Sequence, residues 1–374
     1  MPRPWYHVEN ADAIDSPALL VFADRAEENI ARMVRYAGGT DRLRPHVKTH
    51  KMAEVIRLQM AAGIAKFKCA TIAEAEMVAA CGATDVMLSY HLVGPKIARF
   101  AKLVAAYPQT RFFALADDEP TVRRLSSELA AAGVEAEIML DLDNGMGRSG
   151  IAPGETAAAL YRLIDELPGI APGGLHVYDG QFRERDLEKR TAECDAAFAS
   201  VDRLRRELID AGLSVPRVVA GGTPTFPVHA RRDDVECSPG TCIFWDANYA
   251  SKFPDLDFLH AAVLLTRVIS KPGGSASGTG RLCLDLGYKA VSPDNPDPRV
   301  VLLDLPDAKA VVHNEEHLTI ETEQADEYAV GDALYGIPFH VCPTVALHQR
   351  AHIVRGGKVV EQWAIAARNR MITV

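Results

Sequence analysis

Five side chains that are or can become cationic lie within the eight residues RPHVKTHK, at positions 44–51. The segment overlaps a short apolar run, LRPHV, which is typical of a strand and places Lys48 just beyond its carboxyl end. In a barrel of parallel strands, that end of the sheet carries the active site. Neighbouring cations favour the uncharged form of a lysine amine, which forms Schiff bases with carbonyl compounds. The neighbours are Arg44, His46, His50 and Lys51, and composition alone does not choose between Lys48 and Lys51.

A glycine pair follows a later apolar run, in the segment AGGTPTF at positions 220–226. Gly221 and Gly222 have no Cβ, so their backbone N–H groups can approach an anion closely, and Thr223 adds a hydroxyl. Barrels of this kind often bind phosphate with the loops after strands seven and eight. An ordinary glycine-rich turn before Pro224 has the same pattern, so a phosphate site here is a hypothesis.

Two further side chains follow predicted strands and are expected at the same end of the sheet. Arg148 stands in GMGRSG, after the apolar run VEAEIMLDL, and Tyr178 closes the run GGLHVY. An arginine in such a place is also typical of a surface loop, and a tyrosine at a strand end is also typical of packing.

A histidine and a cysteine stand two residues apart in PFHVCPT, at positions 338–344. On a strand, residues i and i+2 point to the same side, so His340 and Cys342 could share one divalent ion. Imidazole and thiolate suit zinc, and water or substrate would fill the remaining positions. A buried thiol beside a hydrogen-bonded histidine is the alternative interpretation. The nearby segment HNEEHL, from His313 to Leu318, reads as a charged turn with further polar candidates.

Short apolar runs alternate with helical patterns such as RAEENIARMVRYA over the first 220 residues. Strands that alternate with helices predict a parallel sheet, and eight such units predict a closed (β/α)8 barrel. An open doubly wound sheet is the alternative, because periodicity does not show closure. The eight predicted strands are ALLVFA (18–23), LRPHV (43–47), AKFKC (65–69), DVMLS (85–89), TRFFALA (110–116), VEAEIMLDL (134–142), GGLHVY (173–178) and VPRVVA (215–220).

The pattern changes after about residue 250. Strand-like segments such as RVVLLDL alternate there with glycine, proline and aspartate, and helical periodicity is scarce. We therefore predict a barrel over residues 16–250 and a mostly-β domain that consists of residues 255–374 together with residues 1–15. The linker is expected near positions 252–255.

The composition of the sequence argues against several classes of protein. The 374 residues carry a formal net charge of -9, and no basic stripe beyond residues 44–51 suggests a nucleic-acid partner. The sequence has no run of 18 apolar residues, and its opening residues have no apolar signal core, so neither a membrane span nor export is expected. Its 7 cysteines form no CxxC pair, which favours reduced thiols in the cytoplasm.

Together these segments resemble the fold-type III pyridoxal-phosphate enzymes of the D-threonine aldolase and D-serine dehydratase group. The resemblance runs from about Asp15 to the last residues, and PHVKTHK with the HxC pair is its most specific part. The segments that carry it are RPHVKTHK, ATIAEAE (70–76), GMGRSG, AGGTPT, SPGT (238–241), LDLGYKAVS (284–292), NEEH (314–317) and PFHVCPT.

The resemblance implies an alanine-racemase-like barrel followed by a C-terminal β domain, and a homodimer whose active site lies between barrel and β domain. It implies that Lys48, rather than Lys51, binds pyridoxal phosphate as a Schiff base. It also implies that Arg148 faces the pyridine nitrogen and that Tyr178 lines the ring. Gly221, Gly222 and Thr223 would hold the phosphate, and His340 with Cys342 would bind a divalent metal such as zinc, manganese or magnesium.

An arginine at the pyridine nitrogen would keep that nitrogen unprotonated, because arginine does not give up its proton. The ring would then be a weaker electron sink, and the metal would matter more. A metal bound to the substrate's β-hydroxyl would either help hydroxide leave or lower the hydroxyl pKa so that Cα–Cβ breaks.

The sequence departs from the family pattern in two places. Relatives often carry a histidine, a candidate general base, shortly after the YxG that closes strand seven, whereas residues 181–184 here read QFRE. The alternatives for that base are a metal-bound water or one of four side chains, Glu184, His46, His50 and His317. Relatives also often have an aromatic residue after PGT, where this chain has Cys242.

The resemblance favours a lyase that cleaves D-threonine-like β-hydroxy amino acids into glycine and an aldehyde. A dehydratase acting on D-serine, D-threonine or 3-hydroxyaspartate, giving a 2-oxo acid and ammonia, is the first alternative. A racemase is a further alternative, with Tyr288 or Tyr335 as its second acid or base. A pyridoxal-phosphate carrier with a single barrel is disfavoured, because carriers lack residues equivalent to 255–374.

Overall fold

The computed structural model describes residues 3–273 and 280–374, and these form two compact units. Unit 1 contains the chain up to Ile30, Thr49–Met52 and Thr241–Arg368. Unit 2 contains Ala31–Lys48, Ala53–Gly240 and Asn369–Val374. Residues 16–30 and 241–250, which the sequence assigns to the barrel, thus lie in unit 1. No helix among the described residues is long and apolar enough to cross a membrane.

Unit 2 is built on a parallel sheet with the order β2-β3-β4-β5-β6-β7-β8, which makes seven strands in the described part of the chain. Every neighbouring pair along this order is parallel. The strands are β2 (Lys66–Cys69), β3 (Asp85–His91), β4 (Arg111–Ala116), β5 (Ala136–Leu142), β6 (Ile170–Val177), β7 (Val218–Ala220) and β8 (Val235–Cys237).

The segment 42–46 closes this sheet into a barrel. Leu43 forms a parallel bridge with Cys237 of β8, and His46 forms one with Lys68 of β2. Backbone hydrogen bonds from Arg44 N–H to Cys237 O, at 2.9 Å, and from Lys68 N–H to Pro45 O, also 2.9 Å, join both edges of the sheet to the segment. The alanine-racemase-like barrel that the resemblance implies is therefore confirmed.

Helices connect the strands, and several begin at a residue whose side chain accepts a backbone hydrogen bond. Thr71, Asp118 and Asp186 accept from the N–H group three residues later, at the starts of the third, fifth and seventh helices. The helices are α1 (Ala23–Ala37), α2 (Ala53–Ala61), α3 (Ile72–Ala80), α4 (Pro95–Ala106), α5 (Glu119–Ala131), α6 (Glu155–Glu166), α7 (Leu187–Asp210), α8 (Phe226–His229), α9 (Ala247–Lys252) and α10 (Val341–Leu347).

Unit 1 contains a mostly antiparallel sheet, which confirms the predicted β-rich C-terminal region. Its main order is β12-β13-β10-β9-β1-β15-β16, and β14 pairs with both β9 and β11. The strands are β1 (Ala18–Phe22), β9 (Ala262–Ser270), β10 (Gly280–Leu284), β11 (Val300–Leu302), β12 (Lys309–His313), β13 (Leu318–Thr322), β14 (Ala333–Pro338), β15 (Arg350–Arg355) and β16 (Lys358–Ala364).

Two strands differ from the sequence-based assignment. The run ALLVFA was predicted as the first barrel strand, but β1 pairs with β9 and β15 in the sheet of unit 1. All five residues of β1 are buried, and a wholly apolar run has no alternation to indicate which sheet will hold it. The strand β8 was missed because VEC is only three residues long and carries a glutamate.

Candidate active site

The carboxyl end of the parallel sheet in unit 2 opens into a cavity of about 550 Å³. Lys48, His46, Arg148 and Tyr178, which the sequence predicts as site residues, all line it. The full lining is His46, Lys48, Lys68, Ala70, Ser89, Tyr90, His91, Val93, Lys96, Leu115, Asp141, Arg148, Ser149, His176 and Tyr178. The structure therefore places these four predicted residues around one cavity, as (β/α)8 barrels place their active sites.

Lys48 lies in a short 3-10 turn, Val47–Thr49, directly after the segment that closes the barrel. The backbone N–H of Lys48 donates to His46 Nδ1 at 3.4 Å, so this ring nitrogen acts as an acceptor. Lys51 is outside the cavity lining and adopts a left-handed backbone conformation with φ 56°. The geometry thus favours Lys48 over Lys51 as the lysine that meets a ligand in this cavity.

Lys68 is a second lysine in the cavity, and the sequence analysis did not identify it. It lies on β2 and is only 2% exposed. Burial is the main cause that lowers the pKa of Lys68 to about 7, and the positive charge of Lys48 lowers it further. The negative charges of Asp141 and Asp179 act in the opposite direction. Nζ of Lys68 is 6.0 Å from the centre of the Tyr178 ring.

A hydrogen-bonded network forms part of the cavity wall. His176 Nδ1 lies 2.6 Å from Asp141 Oδ1, and His176 Nε2 lies 3.3 Å from Ser89 Oγ. Burial lowers the pKa of His176 to about 4, and the charge of Lys68 contributes, outweighing the attraction of Asp141. The contact of His176 with Asp141 is therefore a hydrogen bond from a neutral imidazole to a carboxylate, rather than an ion pair, at neutral pH.

His91 joins this wall from the end of β3. Its Nε2 atom lies 3.2 Å from Asp117 Oδ2 and 3.5 Å from Asp141 Oδ2. Burial lowers the pKa of His91, but the two carboxylates outweigh burial and raise it. These three side chains are close enough together to resemble a metal-ligand set, and the ion pairs among them account for the same proximity.

Tyr178 and Arg148 contact each other at the cavity. The guanidinium carbon of Arg148 lies 4.5 Å from the centre of the Tyr178 ring, which is within cation–π range. Arg148 is otherwise exposed. An exposed cation above an aromatic ring at a barrel mouth is well placed to meet a planar anionic ligand.

The glycine loop packs against Tyr178. A Cβ atom on Gly222 would lie 3.2 Å from Tyr178 Cε2, and a Cβ on Gly221, which has φ +76°, would lie 2.7 Å from His229 Cδ2. Gly221 N–H donates to Val177 O and Gly222 N–H donates to Thr225 Oγ1, at 2.9 and 3.2 Å. Position 221 therefore requires glycine on steric grounds, whereas a side chain at position 222 would need a small shift of the Tyr178 ring.

A buried, hydrogen-bonded cluster of side chains packs against this loop. Asp179 accepts hydrogen bonds from Thr225 Oγ1 and from His229 Nε2, both at 2.7 Å, and Cys194 Sγ lies 3.5 Å from both Asp179 Oδ2 and His229 Nε2. All four side chains are buried. Burial, with the adjacent Asp179, raises the pKa of Cys194, so this cysteine is a thiol at neutral pH.

His340 and Cys342 lie in unit 1, but not on a strand as predicted. His340 precedes the helix α10 as its N-cap residue, and Cys342 is in the first turn of that helix. The reason is that β14 ends at Pro338 and that Pro343 fits the first helical turn, where its missing N–H is not needed. The two side chains are nevertheless in contact. Burial lowers the pKa of His340, but Cys342 and Asp294 outweigh burial and raise this pKa to about 9.

Polar neighbours hold both members of this pair. His340 Nδ1 lies 2.5 Å from Asp294 Oδ2, and Ser292 Oγ donates to Asp294 at 2.6 Å. Cys342 Sγ lies 3.1 Å from Thr49 Oγ1 and 3.7 Å from Thr241 Oγ1. A carboxylate behind one ring nitrogen is the usual arrangement for a metal-ligating histidine.

The other three candidates for a general base do not line the cavity. His50 is fully buried in unit 1, where burial lowers its pKa to about 3. His317 is exposed, and Glu184 accepts the N–H of Asp186 at 3.2 Å. His46 is therefore the one of the four that shares the cavity with Lys48.

Pyridoxal phosphate, which the resemblance implies, fits the described residues. Lys48 offers an amine, Tyr178 offers a flat ring, and Gly222 leaves room beside that ring that a Cβ would fill. Ser238 Oγ, just after β8, is buried and has no hydrogen-bond partner among the residues that the structure describes. A phosphate or ring atom of the cofactor would satisfy such a hydroxyl.

Sequence reasoning missed Lys68, His91, Asp141 and His176, although each stands on a predicted strand or just after one. The available signal was a charged or polar residue within an otherwise buried strand, as in AKFKC and VEAEIMLDL. Such a residue points either to solvent or into the barrel, and periodicity alone does not distinguish these two directions.

Two family descriptions match the chain. "Alanine racemase, N-terminal domain" matches residues 21–247, and "Putative serine dehydratase domain" matches residues 261–354. The chain is 28% identical to D-threonine aldolase of Arthrobacter sp, over 98% of this chain and 96% of the relative. It is 30% identical to 3-hydroxy-D-aspartate aldolase of Paracoccus denitrificans, over 96% of this chain and 93% of the relative.

Solved structures agree with these matches. The crystal structure of D-threonine aldolase from Filomicrobium marinum superposes with a TM-score of 0.88, at 30% identity, over 96% of each chain. D-threo-3-hydroxyaspartate dehydratase from Delftia sp. HT23 superposes with a TM-score of 0.82 over 94% of this chain and 98% of the other, at 24% identity, which supports the fold. The chain is an enzyme of the lyase type and belongs to the pyridoxal-phosphate family that combines an alanine racemase N-terminal domain with a serine dehydratase domain.

Proposed function

We propose that this enzyme cleaves D-β-hydroxy amino acids such as D-threonine into glycine and an aldehyde, using pyridoxal phosphate on Lys48 and a divalent metal. The observation that carries the proposal is the arrangement of Lys48, Tyr178 and Arg148 around one cavity at the carboxyl end of the parallel sheet. The D-threonine aldolases of Arthrobacter and Filomicrobium, which match over nearly the full chain, support the aldol cleavage.

The residues of the cavity, and of the glycine loop that packs against Tyr178, would have distinct roles. Lys48 would bind the cofactor covalently, and Tyr178 would support the ring from one side. Arg148 would face the pyridine nitrogen, and Gly221, Gly222 and Thr223 would hold the phosphate. When bound, the cofactor supplies an electron sink next to Cα of the amino acid.

His340 and Cys342 would hold the metal. Asp294 orients the imidazole through Nδ1, and Cys342 also contacts the side chain of His340. Zinc, manganese and magnesium are the candidate ions, and the thiolate favours zinc. Such an ion would lower the pKa of the substrate's β-hydroxyl, which assists the loss of its proton.

His46 is the candidate base for that proton. It lines the cavity with Lys48, and its Nδ1 atom accepts the Lys48 N–H, which fixes the direction of the ring. The proton taken from the hydroxyl is needed again at Cα, so one base that returns the same proton would complete the cleavage.

Dehydration to a 2-oxo acid and ammonia is the second candidate function. The loop after Tyr178 has no histidine, and Glu184 in that loop hydrogen-bonds to the backbone rather than lining the cavity. D-threo-3-hydroxyaspartate dehydratase of Delftia sp. matches the chain at 26% identity over 94% of its length. In this reaction the base would act at Cα, and a metal held by His340 and Cys342 would assist the departure of hydroxide.

Incubation with D-threonine, pyridoxal phosphate and a divalent ion distinguishes the two reactions. We expect glycine and acetaldehyde in equal amounts. 2-Oxobutanoate with ammonia would replace the aldolase proposal with the dehydratase one. Racemised threonine as the sole product would contradict both.

We also propose that the protein works as a homodimer in the cytoplasm, as the resemblance and the absence of a CxxC motif suggest. Light scattering of the purified protein tests the first proposal, since a dimer has twice the 40.6 kDa mass of the chain.

A further inference from the structure

Lys68 is an unusual lysine because it is buried without a hydrogen-bonded carboxylate among the residues that the structure describes. It is 2% exposed and lines the cavity, yet its Nζ atom makes no hydrogen bond or ion pair with any described residue. Lys66, two residues earlier on β2, differs in both respects. Its Nζ atom is bonded to Glu236 Oε1 and to Asp41 O, both at 2.7 Å.

The carboxylates that face Lys68 are committed to other groups. Asp141 accepts hydrogen bonds from His176 and from Ser149 Oγ, and Asp179 accepts from Thr225 and His229. Lys48 and Arg44 face Lys68 with positive charge. The amine of Lys68 therefore forms no hydrogen-bonded ion pair with either carboxylate, and burying an unpaired charge is costly.

The placement of the other cations of the cavity is explained by other contacts or roles. Lys48 is the proposed covalent partner of the cofactor, and Arg148 lies over the Tyr178 ring. Lys96 lies with Nζ 4.2 Å from the centre of the Tyr90 ring. Lys68 therefore is the cation whose placement is best explained by an anion that enters the cavity.

We propose that Lys68 is a binding residue for the anionic cofactor, and that it takes up a proton when the cofactor fills the cavity. The inference rests on the proposed function, since pyridoxal phosphate is the anion concerned. Its phosphate and its phenolate oxygen both accept hydrogen bonds from an ammonium group, and a charge-assisted bond of this kind is stronger than a neutral one.

The surroundings of Lys68 determine whether the protein takes up or releases a proton when the cofactor binds. Burial and the charges of Lys48 and Arg44 lower the pKa of Lys68 from 10.5 to about 7, so above that pH the amine is mostly uncharged before binding. An anion beside it raises the pKa again, so the amine gains a proton on binding at about pH 8 and gains none at about pH 6. His46, His91 and His176 also line the cavity, so variants must separate their contributions from that of Lys68.

The test uses pyridoxine 5′-phosphate, which has an alcohol in place of the aldehyde and so forms no covalent bond with Lys48. Titration calorimetry in two buffers of different ionisation enthalpy counts the protons exchanged on binding. For the unmodified protein we expect uptake of nearly one proton at about pH 8, and almost none at about pH 6.

Two variants of Lys68 separate charge from proton uptake. Lys68→Met should bind the probe about ten- to a hundred-fold more weakly, with the uptake lost. Lys68→Arg keeps a permanent charge, so it should restore much of the affinity without restoring the uptake. Lys102→Met, on the exposed face of α4, is the control and should match the unmodified protein.

The outcomes distinguish this inference from the proposed function. Lys68→Met should fold, since it replaces an uncharged buried amine by an apolar chain, and thermal unfolding checks this. Equal affinity and equal uptake in Lys68→Met and the unmodified protein would overturn the role of Lys68 and leave the proposed function intact. If the unmodified protein bound neither pyridoxine 5′-phosphate nor pyridoxal phosphate, the proposed function itself would fail.

Discussion

The two ends of the parallel sheet in unit 2 both carry charged side chains, but they differ in how those charges are matched. At the amino end, Arg44 bonds to Asp85 at 2.5 Å and to Glu236 at 2.7 Å. Lys66, Arg111 and Arg217 complete this set through contacts with Glu236, Asp85 and Glu137. Each of these cations has at least one carboxylate within the protein.

The carboxyl end is different because positive charge exceeds the available negative charge. Lys48, Lys68, Lys96 and Arg148 line the cavity there, and Asp141 is the carboxylate in the lining. Paired charge at the amino end stabilises the barrel, whereas the excess positive charge at the carboxyl end would attract the proposed anionic cofactor. The same division between a stabilising and a catalytic end is general in (β/α)8 barrels.

The largest effect is expected from Lys48→Ala at the carboxyl end. Without this amine the cofactor has no covalent partner, and activity with D-threonine should fall by at least about a thousand-fold. The absorption band of the lysine-bound cofactor, read by ultraviolet–visible spectroscopy, should disappear, while the unfolding midpoint should change little. A variant that kept both the band and the activity would remove Lys48 from the site.

Cys342→Ala tests the proposed metal pair. We expect loss of the bound divalent ion and a fall in activity of at least about a hundred-fold, with the cofactor band retained. Metal content measured by mass spectrometry gives the direct readout. Cys283→Ala, a free cysteine on β10, is the matched control, and undiminished metal in Cys342→Ala would exclude the HxC site.

Asp85→Asn tests the opposite end of the barrel. It leaves Arg44 buried with half of its counter-charge, so the free energy of unfolding should fall by about 3 to 5 kcal/mol. Urea unfolding measures this change, and cofactor affinity of the folded variant should stay the same. Glu128→Gln, which breaks an exposed pair with Arg124 on α5, should cost less than about 0.5 kcal/mol. Equal costs for the two variants would show that the amino end does not depend on its buried pairs.

The smallest effect concerns pH. Burial raises the pKa of Asp85 and Glu236, but Arg44 and other cations outweigh burial and hold both below the ordinary values of 3.8 and 4.5. The stability that they contribute is present above those values and is lost as the pH falls below them. The slope is at most about 1.4 kcal/mol per pH unit for each group. Urea unfolding between about pH 5 and about pH 3 should show a shallower slope for Asp85→Asn, and identical slopes would contradict the assignment.

Much of this architecture was predictable from sequence, and the exceptions have physical causes. The strands from AKFKC to GGLHVY and the β-rich C-terminal region were predicted, because alternation with helices and turn residues marks them. The run ALLVFA was placed in the wrong sheet, because a fully buried strand has no polar face to identify its partners.

Site residues that lie in recognisable motifs were predictable from the sequence. Site residues whose role depends on long-range pairing were not. Lys48, Arg148 and Tyr178 were identified from strand ends and from the resemblance. Lys66 and Lys68 occupy equivalent positions of the alternation in AKFKC. The ion pair of Lys66 with Glu236, 170 residues away along the chain, distinguishes the two lysines. This distinction depends on pairing across the closed barrel, so local sequence patterns do not predict it.

The most direct test of the account identifies which lysine binds the cofactor. Three lysines, Lys48, Lys68 and Lys96, line the cavity, so borohydride reduction of the protein with pyridoxal phosphate, followed by peptide mass spectrometry, discriminates among them. We expect the modified residue to be Lys48, with Lys68 and Lys96 unmodified. Modification of Lys68, Lys96 or Lys51 in place of Lys48, or of no lysine at all, would contradict the proposed site.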